Sequence, residues 1–144
     1  MFPETLADKA VRQTDFIRNP DYPLRRLLDS GKCYTELPFA MRIPQDDPMR
    51  ELCGTMLEGQ AEMTEMRGVI DLAVRGEDGW TLLDYKTDSL YAGETEEAYR
   101  QRLRLQYTPQ LRIYREILNR LNMGQVCSMV LCAVRLRGEL IDLG

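Results

Sequence analysis

Three charged residues in the middle of the chain, Asp71, Asp84 and Lys86, have the types and the spacing of a hydrolytic metal site. Residues 76–79 (GEDG) are typical of a turn between two extended runs. Symmetric pairing across this turn places Asp71 directly opposite Asp84, where the Cβ atoms of cross-strand partners are ~4.5–5.5 Å apart. Two like charges at that separation repel each other. A divalent cation between the carboxylates removes this repulsion, and carboxylate oxygens suit Mg²⁺ or Mn²⁺.

Lys86 adds a positive charge to the predicted site. It lies two residues beyond Asp84 and therefore projects from the same face of the strand. This combination suits hydrolysis of a phosphodiester, because a bound metal lowers the pKa of a water molecule and holds phosphate oxygens. The ammonium would orient that water or stabilise the charge that develops on the phosphate.

Two alternatives to the metal site follow from the spacing. A three-residue turn or a bulge would shift the register by one and move one carboxylate to the opposite face of the sheet. Asp71 and Asp84 also fit ordinary charges at strand ends. The apolar residues beside both aspartates favour the metal site, because a charge in such a strand is costly unless it is paired or bound to a metal.

The composition excludes several other kinds of site. The 144 residues suit one domain, and 44% hydrophobic and 29% charged residues are the proportions of a globular protein. The chain has no histidine, which excludes Ser-His-Asp and Cys-His catalysis and His-ligated zinc. It also has no phosphate-binding loop for ATP. The four cysteines lack C-x-x-C spacing, so we expect no iron–sulfur cluster and interpret them as reduced thiols in the core of a cytoplasmic protein: Cys33, Cys53, Cys127 and Cys132.

Charge and hydropathy limit the partners. The net charge of −4 gives no general attraction for nucleic acid, so binding to DNA must come from a local basic patch. The most apolar stretch, 126–134, is too short to cross a bilayer, and Glu4, Asp8 and Lys9 do not fit a secretory signal. We therefore expect neither a membrane segment nor export.

The elements that position the aspartates are predicted to form one mixed sheet with helices against it, an α/β (α+β) fold. Pro38 indicates an edge or a bend in the first strand, where Thr35 and Leu37 share one face. Thr108 as N-cap and Pro109 as first helical residue predict a break between two later helices. The predicted helices cover 6–17, 23–31, 94–105 and 108–124, and the predicted strands cover 33–43, 63–75, 80–86 and 126–134.

Four short motifs follow one another in a specific order. They are Tyr34-Thr35-Glu36-Leu37-Pro38-Phe39, Gly68-Val69-Ile70-Asp71, Leu83-Asp84-Tyr85-Lys86-Thr87-Asp88, and Gln110-Leu111-Arg112-Ile113-Tyr114, the last preceded by Tyr107. In this order and spacing the motifs resemble the core of the PD-(D/E)XK nucleases, specifically the RecB-like branch. The first motif looks like the Glu-Leu-Pro-Phe strand of AddA-type helicase–nuclease subunits. The resemblance covers residues 16–143 and implies a restriction-endonuclease-like core over 33–134, a helical lead-in over 1–31 and a single nuclease domain over 1–144.

The resemblance implies a role for each matching residue. Asp71 and Asp84 would be metal ligands, Lys86 the catalytic lysine, and the backbone carbonyl of Tyr85 a further ligand of Mg²⁺ or Mn²⁺.

Other matching residues would support the site. Gln110 and Tyr114 lie four apart on one helical face and would contact DNA or brace the site; the alternative is a capping amide and a core tyrosine. Glu36 would be a supporting residue, with a solvated edge charge as the alternative. Arg100 and Arg104 are candidates for contacts with DNA phosphates, although they also fit pairing with glutamates on the same helices.

The resemblance also has a gap. The RecB-like branch usually carries an upstream histidine ligand, and the AddA type carries a motor; the present sequence has neither. We therefore expect a C-terminal piece of a larger helicase–nuclease, which pairs with a second subunit and acts as an exonuclease on DNA in double-strand break repair and recombination. The alternative is a non-catalytic DNA-binding or subunit-docking module with the same fold. A free-standing endonuclease is a third possibility.

Overall fold

The computed structural model of the chain describes residues 17–53 and 63–144. Residues 1–16 of the predicted helical lead-in lie outside this part. The described elements are helix α1 (Pro23–Asp29), strand β1 (Lys32–Pro44), helix α2 (Met49–Cys53), strands β2 (Met63–Gly76) and β3 (Gly79–Lys86), helix α3 (Glu96–Arg120), and strands β4 (Val126–Ala133) and β5 (Glu139–Asp142).

The five strands form one sheet in the order β1-β2-β3-β4-β5. The pairs β1–β2, β2–β3 and β4–β5 are antiparallel, whereas β3 and β4 are parallel. A parallel pair needs a crossover connection, and α3 provides it. The prediction of a mixed sheet with flanking helices is confirmed, and β1 is an edge strand, as Pro38 indicated.

Apolar side chains cover both faces of the sheet. The largest cluster lies between the sheet and α3, and the next in size lies under α1, where Leu24 is fully buried. Strand β4 contributes to both, because Leu131 faces α3 and its neighbour Cys132 faces α1. This two-sided burial is typical of a central strand next to a parallel partner. None of the helices in the described part of the chain combines the length and the apolar character that a membrane crossing requires.

The cysteines only partly match the expectation of a thiol-filled core. Cys132 is buried, and its burial raises the pKa of its thiol to about 12. Cys33 and Cys127 are free but exposed, so the prediction was wrong for these two. Both lie near strand ends, where their Sγ atoms donate to the backbone carbonyls of Leu28 and Trp80.

Helix α3 is one continuous helix of 25 residues, and the predicted break at 108–109 was wrong. The true N-cap is Thr95, whose side chain accepts a hydrogen bond from the Ala98 N–H. Pro109 removes one hydrogen bond from the helix interior. The Thr108 hydroxyl also donates to the carbonyl of Arg104 at 2.6 Å, a bond that a helical threonine can make. Apolar residues on both sides of the proline, Leu103 and Leu111, are fully buried against the sheet, and this packing outweighs the local signal.

The predicted alternation in β1 was wrong around Glu36. Thr35 is exposed, while Tyr34 and Leu37 both pack on the α3 side of the sheet. Glu36 has a left-handed backbone, with φ = 51°, which shifts the phase of the strand by one residue. Strand β2 shows the same shift of phase, since Ile70 and Ala73 both lie on the α3 side although they are three residues apart.

Two short elements carry no signal that the sequence reasoning recognised. Strand β5 follows a tight turn in which Arg137 and Gly138 both have positive φ, and its main-chain pairs join it to β4. Helix α2 has only five residues, too few for a hydrophobic period to show.

The β2–β3 turn requires a glycine at position 79. Gly79 has φ = +134°, and a Cβ there would lie 2.4 Å from the carbonyl oxygen of Gln125. We expect Gly79→Ala to lower the free energy of unfolding by about 2–3 kcal/mol. Gly76→Ala is the matched control, because its Cβ would meet nothing closer than 3.7 Å and should change stability by less than about 0.5 kcal/mol. Urea denaturation followed by the fluorescence of Trp80, the single and buried tryptophan, measures both, and equal effects would refute the explanation.

An ion pair connects the α2 region to the end of α3. The Arg120 guanidinium donates to both carboxylate oxygens of Asp47, at 2.6 and 2.7 Å, and Asp47 also accepts from the Met49 N–H. These bonds, the Arg120 pair first, lower the pKa of Asp47 to about 2. A lowered pKa means that the stabilisation is present above pH ~4 and is lost as the pH falls towards 2. We expect Asp47→Asn to cost about 1–2 kcal/mol at pH 7, and this cost to shrink below pH 4 in urea titrations; a constant cost would contradict the ion pair.

Candidate active site

The pairing of β2 with β3 brings Asp71 and Asp84 together. The register runs from Gly76↔Gly79 to Leu72↔Leu83, as predicted, and the two aspartates occupy the next position, where the regular ladder ends. The Asp71 Oδ2 atom accepts a hydrogen bond from the backbone N–H of Tyr85 at 2.9 Å. Its carboxylate is near enough to that of Asp84 to raise the pKa of Asp84.

Asp84 is the one buried charged residue in the described part of the chain, with only 4% of its surface exposed. Burial raises the pKa of Asp84 to about 6, and the neighbouring Asp71 carboxylate adds to the increase, while Lys86 opposes it. The Lys86 Nζ atom lies 2.6 Å from Asp84 Oδ2. This contact is a short ion pair, which opposes but does not cancel the cost of burying the Asp84 charge. Because the pKa stays raised despite this ion pair, the charge of Asp84 is only partly compensated, which favours binding of a further cation.

Helix α3 supplies the other neighbours of Lys86. The Gln110 Oε1 atom lies 3.5 Å from Lys86 Nζ, and the amide of Gln110 donates to the Tyr114 hydroxyl at 2.7 Å. The ring of Tyr107 lies under the ammonium, with 3.9 Å between Nζ and the ring centroid. Tyr107, Gln110 and Tyr114 share one helical face because their spacing is i, i+3 and i+7.

A chain of contacts connects this helical face to the edge strand. The rings of Tyr114 and Phe39 meet edge to face, with centroids 5.4 Å apart. Phe39 pairs with Gly68 across β1 and β2, and a Cβ on Gly68 would lie 2.5 Å from the Phe39 ring. The glycine and the phenylalanine of the two motifs therefore fit each other: the ring occupies the space that a side chain at position 68 would need.

Five of the predicted site residues are connected by a series of contacts around the carboxylate pair: Asp71, Asp84, Lys86, Gln110 and Tyr114. Glu36 is exposed on β1, at the irregular position that faces Asp71, and its supporting role stays a prediction.

Arg100 and Arg104 have partners of their own. The Arg100 guanidinium makes a double contact with Glu139 of β5, at 2.5 and 2.8 Å, and also pairs with Glu96 and Glu97. Arg104 lies 4.0 Å from Glu97. The alternative of glutamate pairing therefore describes both side chains, and their contact with DNA stays a prediction.

Sequence reasoning did not select two residues that border the site, Tyr107 and Asp88. The Tyr107 hydroxyl donates to Asp88 Oδ2 at 2.8 Å. The position of Tyr107, three residues before Gln110, was a usable signal once α3 is known to be continuous.

The donor set fits a hard divalent cation. Two carboxylates and the backbone carbonyl of Tyr85 are oxygen donors, and the Asp84 carboxylate is buried with its charge only partly compensated by Lys86. Within 17–53 and 63–144 no cluster of three or more His, Cys, Asp or Glu side chains is present. Mg²⁺ in proteins is often held by only one or two carboxylates together with waters and substrate phosphates, so two carboxylates are enough for such a site.

Comparison with known proteins agrees with this geometry. The chain is 34% identical over 120 residues to the A-type subunit of the ATP-dependent helicase/nuclease of Clostridium perfringens, which covers 81% of this chain and 9% of the relative. It is 32% identical over 107 residues to the protein of the same name from Heliobacterium modesticaldum (74% and 7%), and 34% over 100 residues to that from Geobacillus thermodenitrificans (67% and 8%). The chain therefore spans less than a tenth of the length of these relatives. The family model of the PD-(D/E)XK nuclease superfamily matches residues 4–140, and the chain belongs to this superfamily.

Proposed function

We propose that this chain hydrolyses phosphodiester bonds of DNA at the cluster formed by Asp71, Asp84 and Lys86. One observation carries the proposal: the buried carboxylate of Asp84 lies beside a second carboxylate and 2.6 Å from an ammonium. Leaving Asp84 buried and charged is unfavourable for folding alone, and a cation-dependent function explains why it is there.

The carboxylates of Asp71 and Asp84 and the carbonyl of Tyr85 would hold Mg²⁺ or Mn²⁺. The cation would supply electrophilic activation of the phosphate and of the attacking water. The hydrogen bond from the Tyr85 N–H to Asp71 Oδ2 holds one of the two carboxylates against the backbone of residue 85. The chain thus presents its oxygen donors in a preset arrangement, which reduces the cost of binding an ion.

Lys86 would act on the phosphate. Its ammonium is held between a carboxylate, the Gln110 amide oxygen and an aromatic ring, so it is directed rather than mobile. A fixed positive charge of this kind stabilises the negative charge that grows on the phosphate oxygens in the transition state. Gln110 and Tyr114 would keep the ammonium in place through their mutual hydrogen bond.

Degradation of end-labelled linear duplex DNA by the 144-residue chain tests the proposal. We expect release of short products with Mg²⁺ or Mn²⁺, no release in EDTA, and binding of Mn²⁺ in calorimetry that Asp71→Asn abolishes. Absence of both cleavage and Mn²⁺ binding would overturn the proposal.

The wider role is a further part of this proposal. The relatives carry the name of an ATP-dependent helicase/nuclease, and residues 1–144 would be a single nuclease domain at the C-terminal end of such a protein. Another subunit would be its partner, and exonucleolytic processing of double-strand ends in the cytoplasm, for repair and recombination, would be its task. An exonuclease leaves closed circular DNA intact, whereas a free-standing endonuclease would cut it.

A non-catalytic DNA-binding or docking module is the second candidate. It is favoured by the two-carboxylate donor set of the described residues and by the absence of histidine from the chain. Gel-shift and cleavage assays separate the two functions. Retained DNA binding by both wild type and Lys86→Ala, with no cleavage by either, would favour the docking module.

A further inference from the structure

We propose that Tyr107, anchored by Asp88, is the positioning residue that holds the Lys86 ammonium against the carboxylate pair. The inference rests on the nuclease function proposed above, and it assigns a role to two side chains that line the site without being donors to the cation.

The ring of Tyr107 lies against the Lys86 ammonium. Lys86 Nζ lies 3.9 Å from the ring centroid, well within the ~6 Å over which a cation–π contact is favourable. The ammonium therefore has an aromatic surface on one side, the Asp84 carboxylate at 2.6 Å and the Gln110 oxygen at 3.5 Å. A lysine side chain is a flexible four-carbon stem, and the 3.5 Å contact alone would restrain it weakly.

The ring of Tyr107 is itself anchored by a hydrogen bond. The Tyr107 hydroxyl donates to Asp88 Oδ2 at 2.8 Å, and Asp88 lies two residues beyond Lys86 in the same chain segment. The backbone carbonyl of Asp88 accepts a further hydrogen bond from the Tyr99 hydroxyl at 2.5 Å. Two tyrosines of α3 thus hold the segment that follows β3, and this fixes the position of the Tyr107 ring relative to the Lys86 ammonium.

The hydrogen bond to Asp88 also affects the chemistry of the Tyr107 ring. Burial, followed by the hydrogen bond with Asp88, raises the pKa of Tyr107 to about 12, so the phenol remains a neutral donor at physiological pH. A phenol that donates to a carboxylate has a more electron-rich ring, and this strengthens its attraction for a cation. Asp88 therefore both fixes the ring and increases its hold on Lys86.

The composition of the chain makes a direct test possible. The sequence has only three lysines, Lys9, Lys32 and Lys86, so the ε-CH₂ signals of a ¹³C-lysine-labelled protein can be assigned by substitution. We expect the Lys86 ε-CH₂ protons to be shifted upfield by the ring current of Tyr107. Tyr107→Leu should remove this shift, Tyr107→Phe should retain most of it, and Asp88→Ala should reduce it.

Tyr91→Leu is the matched control. The ring of Tyr91 also contacts a cation, but its partner is Arg102 at 3.9 Å, so the Lys86 signals should not change. Unchanged Lys86 signals in Tyr107→Leu, or equal changes in Tyr91→Leu, would overturn the inference. Should Tyr107→Leu fail to fold, Asp88→Ala decides: an unchanged Lys86 shift in that variant also overturns it.

Kinetics add a readout that general destabilisation would not produce. In the cleavage assay we expect Tyr107→Leu to lower kcat on the order of ten- to a hundredfold with little change in KM, and Tyr107→Phe to recover most of the loss. A loss confined to KM would argue that Tyr107 contacts DNA instead, and would overturn the positioning role. If the wild type shows the upfield shift but cleaves no DNA, the proposed function fails while the placement of Lys86 by Tyr107 stands.

Discussion

Lys86→Ala is expected to lower DNA cleavage on the order of a thousandfold while leaving the fold intact. The ammonium is the one positive group described in contact with the carboxylate pair, at 2.6 Å from Asp84 Oδ2, and removing one preorganised stabilising group from an active site costs about 10²–10³ in rate. The measurement is release of acid-soluble nucleotides from linear duplex DNA with Mn²⁺, together with a urea denaturation curve.

Lys32→Ala is the matched control for this prediction. Lys32 also lies over a tyrosine ring, with 5.4 Å to the centroid of Tyr34, but it is at the exposed start of β1. We expect its removal to change cleavage by less than about twofold, as is usual for a surface substitution. Equal losses in the two lysine variants would mean that cleavage depends on overall charge rather than on the site.

Asp84→Asn is expected to lower cation-dependent cleavage at least a hundredfold and, at the same time, to stabilise the metal-free protein. The loss of activity follows because an amide replaces a carboxylate ligand. The gain in stability follows from the raised pKa of Asp84, about 6, which means that the fold disfavours its charge. We expect an increase in the free energy of unfolding on the order of 1–3 kcal/mol at pH 7 in EDTA.

The pH dependence of this gain has a definite sign. An acid whose pKa is raised on folding keeps more protons in the native state, so the wild type loses stability as the pH rises from ~4 to ~6. Asp84→Asn lacks this loss, and its advantage should grow over the same range in urea titrations. Asp78→Asn, at an exposed turn residue, is the control and should change neither property. An Asp84→Asn protein less stable than wild type at pH 7 in EDTA would contradict the explanation.

The carboxylate pair was accessible to sequence reasoning because it depends on local geometry. The glycines that flank the 76–79 turn fix the register of β2 and β3, and the register places Asp71 beside Asp84 without knowledge of the rest of the fold. The face of Gln110 and Tyr114 was accessible for a similar reason, since residues four apart in a helix are neighbours.

What the sequence did not predict depends on contacts between distant elements. Pro109 is a local signal for a helix start, but the burial of Leu103 and Leu111 against the sheet keeps α3 continuous. The cation–π contact of Lys86 with Tyr107 joins residues 21 positions apart and exists only once α3 packs on β3. The two-residue alternation in β1 predicted that Thr35 is buried. The left-handed conformation of Glu36 exposes it instead, and no feature of the sequence indicated that conformation.

The irregular course of β1 has a consequence for the behaviour of the molecule in solution. The outer rim of a sheet carries N–H and C=O groups that a strand of another molecule could use, and long flat rims invite aggregation. In β1 Pro38 offers no N–H, and two positions earlier Glu36 twists the backbone out of the flat path and adds an exposed charge. The same stretch that faces Asp71 therefore protects the rim against edge-to-edge association of copies of the chain.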